Sequence, residues 1–191
     1  MNTTIIDRPA FRLIGYAAQL PLVRHGVNPH IQSHIASIPD PERTRLREFN
    51  NTEPPGLLQV SANVDPDYAE GSDLTHLFGV ALDAGTSVPD ELDVIDVPAG
   101  TWAVFRTAGP YPATWEAIAR KCLFENSWHL RPGPEIVATL HRPGSETTAT
   151  TDLWIPITQA CSGEEVHKPA YVTQRESLKE KTRTHQQESF Q

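Results

Sequence analysis

Hydrophobic and polar residues alternate along several short runs of this chain, and the run over residues 150–157 is the most informative. The aliphatic side of that run consists of Leu153, Ile155 and Ile157. Side chains two residues apart on a strand lie on the same face, so Asp152 and Trp154 are expected side by side on the other face. A carboxylate beside an indole ring suits flat, polarised or positively charged small molecules. An exposed sheet face with an incidental acid is the alternative interpretation.

The first half of the chain is predicted to form a strand, a pair of short helices and two further strands. Asn28-Pro29 is a cap followed by proline at the first helical position, and Asp40-Pro41 repeats that pattern after Pro39 ends the first helix. The second helix is expected to continue through Phe49. The predicted strands are Phe11 to Leu22, Leu57 to Val64 and Leu74 to Leu82, with a polar loop from Asp65 to Asp73.

The second half is predicted to repeat this order of elements. Its strands are Leu92 to Thr107, broken at Pro98-Ala99-Gly100, then Glu135 to His141, and Thr150 to Ile157. Pro112 to Phe124 is a predicted helix with apolar residues at helical spacing. The order therefore indicates an α+β fold in which a β-α-β-β unit occurs twice, at about residues 8–83 and 91–158. One domain over residues 1–160 is expected, followed by a polar, flexible tail over 161–191, with an exposed helix as the alternative for the tail.

Composition and charge narrow the class of protein. The chain has 191 residues, a net charge of −8 and 38% hydrophobic residues, which supports a core but not a nucleic-acid surface. The N-terminus lacks the basic and apolar regions of a signal peptide, and no apolar run approaches the roughly 18 residues that span a bilayer. The expectation is a soluble cytoplasmic protein that binds neither nucleic acid nor membrane.

Metal and cofactor chemistry has little support in the sequence. His30 and His34 have the i, i+4 spacing of helical zinc ligands, but no third ligand is evident. Cys122 and Cys161 form no metal-binding spacing, and Cys122 is expected to be a buried apolar residue. No nucleophile elbow, phosphate-binding loop or dinucleotide fingerprint occurs. We therefore predict no metal and no cofactor.

Three motifs occur in order in the second half of the chain. The first is Val97-Pro98-Ala99-Gly100-Thr101-Trp102-Ala103-Val104-Phe105. The second is Gly109-Pro110 followed by the helix that contains Trp115. The third is Asp152-Leu153-Trp154-Ile155-Pro156-Ile157. Together they cover about residues 90–158 and resemble the GyrI-like small-molecule-binding family, which includes the effector-binding domains of AraC-type and MerR-type regulators. The family usually has Tyr where Trp102 stands and Glu-Ile-Trp-Ile-Pro-Val at the third motif.

The resemblance implies an antiparallel sheet with helices on one face and a ligand groove on the other. Asp152 and Trp154 would then face the groove, and the aliphatic side of the last strand would lie under the helices. Two departures reduce the acidity of that groove. Asp152 is one methylene shorter than the family's glutamate, and Ala138-Thr139-Leu140 stands where the family often has Glu-x-Tyr.

The candidate ligand-binding residues are Asp152, Trp154, Trp102, Tyr111 and Tyr68. Packing in the core is the alternative role for the two tryptophans, and ordinary loop positions are the alternative for the two tyrosines. Trp115 and Trp128 are interpreted as packing residues.

Three functions are compatible with these residues. The first is a stand-alone binding protein for aromatic or cationic amphiphilic compounds, which senses or sequesters a drug or toxin, with any protein partner unknown. The second, implied by stand-alone members of the resembling family, is hydrolysis of reactive cyclopropane-containing natural products, in which Asp152 would activate water. The third is inhibition of DNA gyrase by protein contact. The sequence does not identify the ligand or the oligomeric state.

Overall fold

The structure is a computed structural model that describes residues 2–23, 26–108, 128–140 and 150–159. These residues form nine strands and two helices. The strands are β1 (Asn2–Arg8), β2 (Phe11–Pro21), β3 (Leu58–Ala62), β4 (Asp73–Asp83), β5 (Asp93–Val97), β6 (Gly100–Ala108), β7 (Trp128–Leu130), β8 (Glu135–Leu140) and β9 (Thr150–Gln159). The helices are α1 (Pro29–Ser37) and α2 (Asp40–Phe49).

All nine strands belong to one antiparallel sheet in the order β1-β6-β9-β8-β3-β4-β2-β5, and β7 pairs with β9. The chain crosses between the two ends of the sheet at Pro9-Ala10, which joins β1 to β2, and at Pro98-Ala99, which joins β5 to β6. Proline has no N–H to donate to a ladder, so both crossings fall where strand pairing stops.

The two faces of the sheet have different coverings. On one face, α1 and α2 lie over β2 and β4, and Leu46 of α2 packs with Ile14 and Phe78 of the sheet. On the opposite face, Phe11 of β2 and Trp102 of β6 come from distant positions in the strand order, yet their ring centroids lie 5.9 Å apart. The sheet therefore curls toward this second face, which we call the concave face.

The α+β fold expected from the sequence is confirmed, with an antiparallel sheet and helices on one face. Helix α1 begins as predicted, because the Oδ1 atom of Asn28 accepts hydrogen bonds from the backbone N–H groups of His30 and Ile31. The helix predicted at 112–124 in the second half of the chain, and the tail from 161, lie outside the described residues. The duplication and the domain boundary therefore stay predictions.

Some details of the sequence prediction were wrong. Asp40 is the first residue of α2 rather than its cap, which is Pro39 without a side-chain cap bond. Strand β3 ends at Ala62 instead of Val64, because Asn63 has a φ of 52°, which extended backbone does not allow. The short strands β1 and β7 were not predicted at all.

Neither of the two described helices has the length and apolar character that a membrane crossing requires.

Candidate functional site

Strand β9 places Asp152 and Trp154 together on the concave face. In the ladder, Asp152 lies opposite Arg106 of β6 and Ala138 of β8, while Trp154 lies opposite Val104 and Ile136. Residues directly opposite in an antiparallel pair share a face. Leu153, Ile155 and Ile157 form a separate cluster with Val137 on the face that carries the helices. The side chains of β9 therefore alternate between the two faces of the sheet, as the sequence predicts.

Arg106 holds the carboxylate of Asp152 through two parallel hydrogen bonds. Its Nε atom donates to Oδ1 at 2.8 Å, and its Nη2 atom donates to Oδ2 at 2.6 Å. The side chain of Asp152 is 5% exposed and that of Arg106 is 59% exposed, so the guanidinium covers a buried acid from the solvent side. The bonds to Asp152 also raise the pKa of Arg106 above its ordinary value. Sequence reasoning missed Arg106, because its position opposite Asp152 depends on the register of β6 against β9.

Trp102 and Trp154 are adjacent on the concave face and are both buried. Their ring centroids lie 6.3 Å apart in an edge-to-face arrangement, and the ring of Phe11 also packs against Trp102. Trp102 is 0% exposed and Trp154 is 3% exposed, so both rings belong to the core. Neither indole N–H has a hydrogen-bond partner among the described residues, although buried indoles usually find one. The face therefore presents two buried donors that an added acceptor would satisfy.

Two arginines lie over this aromatic group. The Cζ atom of Arg131 is 5.8 Å from the ring centroid of Trp102, and the Cζ atom of Arg8 is 5.9 Å from that of Phe11. Gly100 allows the first of these contacts, because a Cβ atom there would lie 2.8 Å from Nη2 of Arg131. Sequence reasoning treated Arg131 only as part of a turn and did not find this contact.

Tyr68 is placed differently from the other candidate residues. Its hydroxyl group is hydrogen-bonded to Oε1 of Glu135, at the start of β8. Strand alternation puts Glu135 on the opposite face from Ile136, which belongs to the concave-face cluster. Burial raises the pKa of Glu135 to about 7, and the hydrogen bond from Tyr68 acts in the opposite direction. Tyr111 lies outside the described residues, so its role stays a prediction.

A histidine pair lies under α1, on the face that carries the helices. The Nδ1 atoms of His34 and His76 are 2.8 Å apart, so one of them donates and the other accepts. Burial lowers the pKa of both rings, and that of His76 falls to about 4 with a further contribution from His34. Within the described residues no group of three or more histidine, cysteine or acidic side chains is arranged to hold a metal ion.

Comparison with known proteins decides the family. The GyrI-like small molecule binding domain matches residues 1–158 of the 191 in this chain. The chain belongs to the GyrI-like family. No curated protein matches its sequence.

Solved structures show the same fold as this GyrI-like chain at low sequence identity. SAV2435 bound to tetraphenylphosphonium is 18% identical with a TM-score of 0.59, and the match covers 83% of this chain and 94% of that one. The C-terminal domain of EcmrR is 16% identical with a TM-score of 0.53, covering 83% and 98%. Membership of the family makes this chain a small-molecule-binding domain. Family membership does not identify the ligand, which depends on the side chains of the concave face.

Proposed function

We propose that the protein binds small aromatic, positively charged amphiphiles on its concave face and so senses or sequesters a drug or toxin. The observation that carries this proposal is the placement of one buried carboxylate, Asp152, beside Trp154, whose ring in turn contacts that of Trp102, on the face opposite the helices. The carboxylate supplies charge recognition. The two indole rings are buried in this structure, so they supply apolar contact and π-faces only when the ligand displaces the side chains that cover them. The tetraphenylphosphonium in the structure of SAV2435 is a compound of this chemical class and provides a suitable probe.

Arg106 determines how such a ligand would reach Asp152. The guanidinium already neutralises the acid, so a cationic ligand has to take its place rather than fill a vacant charge. Because the arginine side chain is 59% exposed, it can turn into solvent without opening the core. The carboxylate then exchanges one cation for another and is never left buried without a partner, a state that costs several kcal/mol. Arg106 thus acts as an internal competitor of the ligand.

The hydrolase alternative fits this geometry less well. Activation of water by Asp152 would need a water molecule beside the carboxylate, and in this structure Arg106 covers that carboxylate, whose side chain is only 5% exposed. Incubation with a cyclopropane-containing alkylator, followed by a search for the water adduct, tests that alternative directly. None of the described residues supplies an observation that favours gyrase inhibition, which a supercoiling assay would test.

Isothermal titration calorimetry with tetraphenylphosphonium tests the proposed function. The variant Asp152→Asn keeps the shape of the side chain and removes its charge. A matched control is Asp96→Asn, because Asp96 also accepts a hydrogen bond from an arginine Nε atom, that of Arg12, but is 81% exposed and lies on β5. Binding that weakens about tenfold or more in Asp152→Asn and is unchanged in Asp96→Asn supports the proposal. Equal affinity in all three proteins, or no binding, contradicts it.

A further inference from the structure

The strongest unexplained feature outside the Asp152 pair is the guanidinium of Arg131. Its Nε and Nη2 atoms are buried and have no hydrogen-bond partner in the part of the chain that the structure describes. Among the described residues no carboxylate lies within ion-pair distance of it. A buried donor without an acceptor costs about 1–3 kcal/mol, and more when it is charged. Within the described residues, the guanidinium of Arg131 is therefore a charged group whose two buried donors are not satisfied.

The unsatisfied edge of Arg131 has the same chemistry as the edge that Arg106 uses. Arg106 binds the two oxygens of Asp152 through Nε and Nη2, and these are the two nitrogens left without partners on Arg131. The two N–H groups on this edge point in parallel and match the spacing of carboxylate oxygens. Arg106 thus makes with the carboxylate of Asp152 the paired hydrogen bonds that Arg131 has the donors to make with the carboxylate of a ligand.

The guanidinium of Arg131 is held in place by its surroundings. The backbone N–H of Arg131 donates to the carbonyl oxygen of Pro156 at 3.0 Å, which fixes the residue beside β9. One side of the guanidinium lies against Trp102, and the absence of a side chain at Gly100 leaves room for it. A planar cation that is already oriented loses little conformational freedom when an anion binds.

Arg8 adds a second positive charge at the same end of the face. It lies directly opposite Gly100 in the ladder between β1 and β6. Its Nη2 atom donates to the hydroxyl group of Thr52 and to the carbonyl oxygen of Glu53, but its Nε atom is buried without a partner. Because the two arginines flank Gly100, their charges together attract an anion more strongly than either alone.

We propose that Arg131 forms a site for an organic carboxylate, so that the ligand of the concave face carries an anionic group on an aromatic body. This inference rests on the proposed function, because it assumes that aromatic compounds bind beside Trp102. It adds a second polar anchor at a distance from the first. Pro156 follows Asp152 by four residues on β9, which corresponds to about 13 Å at the rise of an extended strand. A carboxylate at Arg131 and a cation at Asp152 would therefore be recognised at opposite ends of one ligand.

The test is calorimetric titration with two probes of the same shape, naphthoate and the neutral naphthylmethanol. Wild-type protein is expected to bind naphthoate about tenfold more tightly than naphthylmethanol, because only the anion engages the guanidinium. Arg131→Gln should abolish that difference, and Arg131→Lys should restore only part of it, since lysine keeps the charge and loses the paired donors. Arg12→Gln is the matched control, because Arg12 is an arginine already paired, with Asp96, and should leave both affinities unchanged.

The outcomes separate this inference from the proposed function. Equal affinity of the wild-type protein for the two probes, or naphthoate binding that Arg131→Gln leaves intact, would overturn the carboxylate site and leave aromatic binding standing. Failure of both probes to bind the wild-type protein would count against both proposals. If Arg131→Gln does not fold, the Nε–H resonance of Arg131 in the wild-type protein answers the question. It should shift with naphthoate and not with naphthylmethanol, and an unchanged resonance would refute the site.

Discussion

Arg106 and Asp152 face each other across β6 and β9, and the exposed guanidinium covers a carboxylate that is 5% exposed. The pair explains how an acid can be retained on a buried face without destabilising the fold. Under the proposed function, the same pair limits the affinity of the site for cations, because Arg106 competes with the ligand for the carboxylate.

Removal of the competitor should strengthen cation binding. In Arg106→Gln the carboxylate of Asp152 loses its cation, and tetraphenylphosphonium no longer has to displace one. If the arginine leaves the acid uncovered about a tenth of the time, the affinity rises roughly tenfold. Calorimetry on the variant and the wild-type protein measures the ratio. Weaker binding in the variant would show that the arginine contributes to the site rather than competing for it.

Lengthening the acid tests whether Asp152 faces a ligand or is packed in the core. Ala138, the residue opposite Asp152 on β8, is small, and Arg106 on the other side is exposed. We therefore expect Asp152→Glu to change the free energy of unfolding by less than about 1 kcal/mol, and to keep or improve cation affinity. Thermal denaturation and ligand titration of this single variant measure both quantities. A loss of about 1–3 kcal/mol without any gain in affinity would indicate an overfilled site and exclude Asp152 from the ligand contacts.

Stability should depend on pH through two groups with opposite effects. The pKa of His76 is about 4 in the folded protein and 6.5 ordinarily, so the unfolded chain binds the extra proton and stability falls as the pH drops from about 6.5 to 4. The pKa of Glu135 is about 7 against an ordinary 4.5, so the folded protein keeps a proton that the unfolded chain loses. The contribution of Glu135 to the stability of the folded protein therefore falls as the pH rises from about 4.5 to 7.

Variants that remove either the carboxyl group or the histidines should each show one of the two opposing dependences of the free energy of unfolding on pH. Glu135→Gln leaves the histidine effect, so its stability should rise with pH between about 4.5 and 6.5. The pKa of His34 is lowered as well, so the double variant His34→Gln with His76→Gln is needed to leave the carboxyl effect alone, and its stability should fall over the same interval. Each shift corresponds to at most about 3 kcal/mol. Urea denaturation at several pH values measures the slopes, and slopes of the same sign in both variants would contradict the assignment.

A close approach of two strands makes Gly79 intolerant of any side chain. Gly79 of β4 lies directly opposite Gly15 of β2, and a Cβ atom on Gly79 would lie 1.8 Å from the carbonyl oxygen of Ile14. Since the obstacle is backbone, Gly79→Ala should cost about 3 kcal/mol or more. Gly85→Ala is the control, because a Cβ atom there has no neighbour within 4 Å. Equal melting temperatures for the two variants would refute this explanation.

The sequence was sufficient where a local pattern determines the structure. The alternation along β9 depends only on the period of a strand, and the cap at Asn28 depends on residues that follow immediately. The three residues of β7 are too few to show a period, and β1 has the polar and exposed character of an edge strand.

Contacts across the sheet could not be predicted in the same way. The pairing of Arg106 with Asp152 depends on the register of two strands separated by more than 40 residues. The stacking of Arg131 on Trp102 depends on the same register and on the free space at Gly100. One signal was available for His76, because a histidine within the apolar run from Leu74 to Leu82 indicates a buried polar group that needs a partner.

The central claim is that an aromatic cation binds on the concave face, beside Asp152. The most direct measurement is the set of indole N–H resonances of the protein during titration with tetraphenylphosphonium, assigned by Trp→Phe variants. Trp102 and Trp154 lie on the concave face, whereas Trp128 packs against the cluster on the face that carries the helices. If an aromatic cation binds beside Asp152, the resonances of Trp102 and Trp154 shift with a common affinity while that of Trp128 does not. A shift of Trp128 alone, with Trp102 and Trp154 unchanged at saturation, would contradict it.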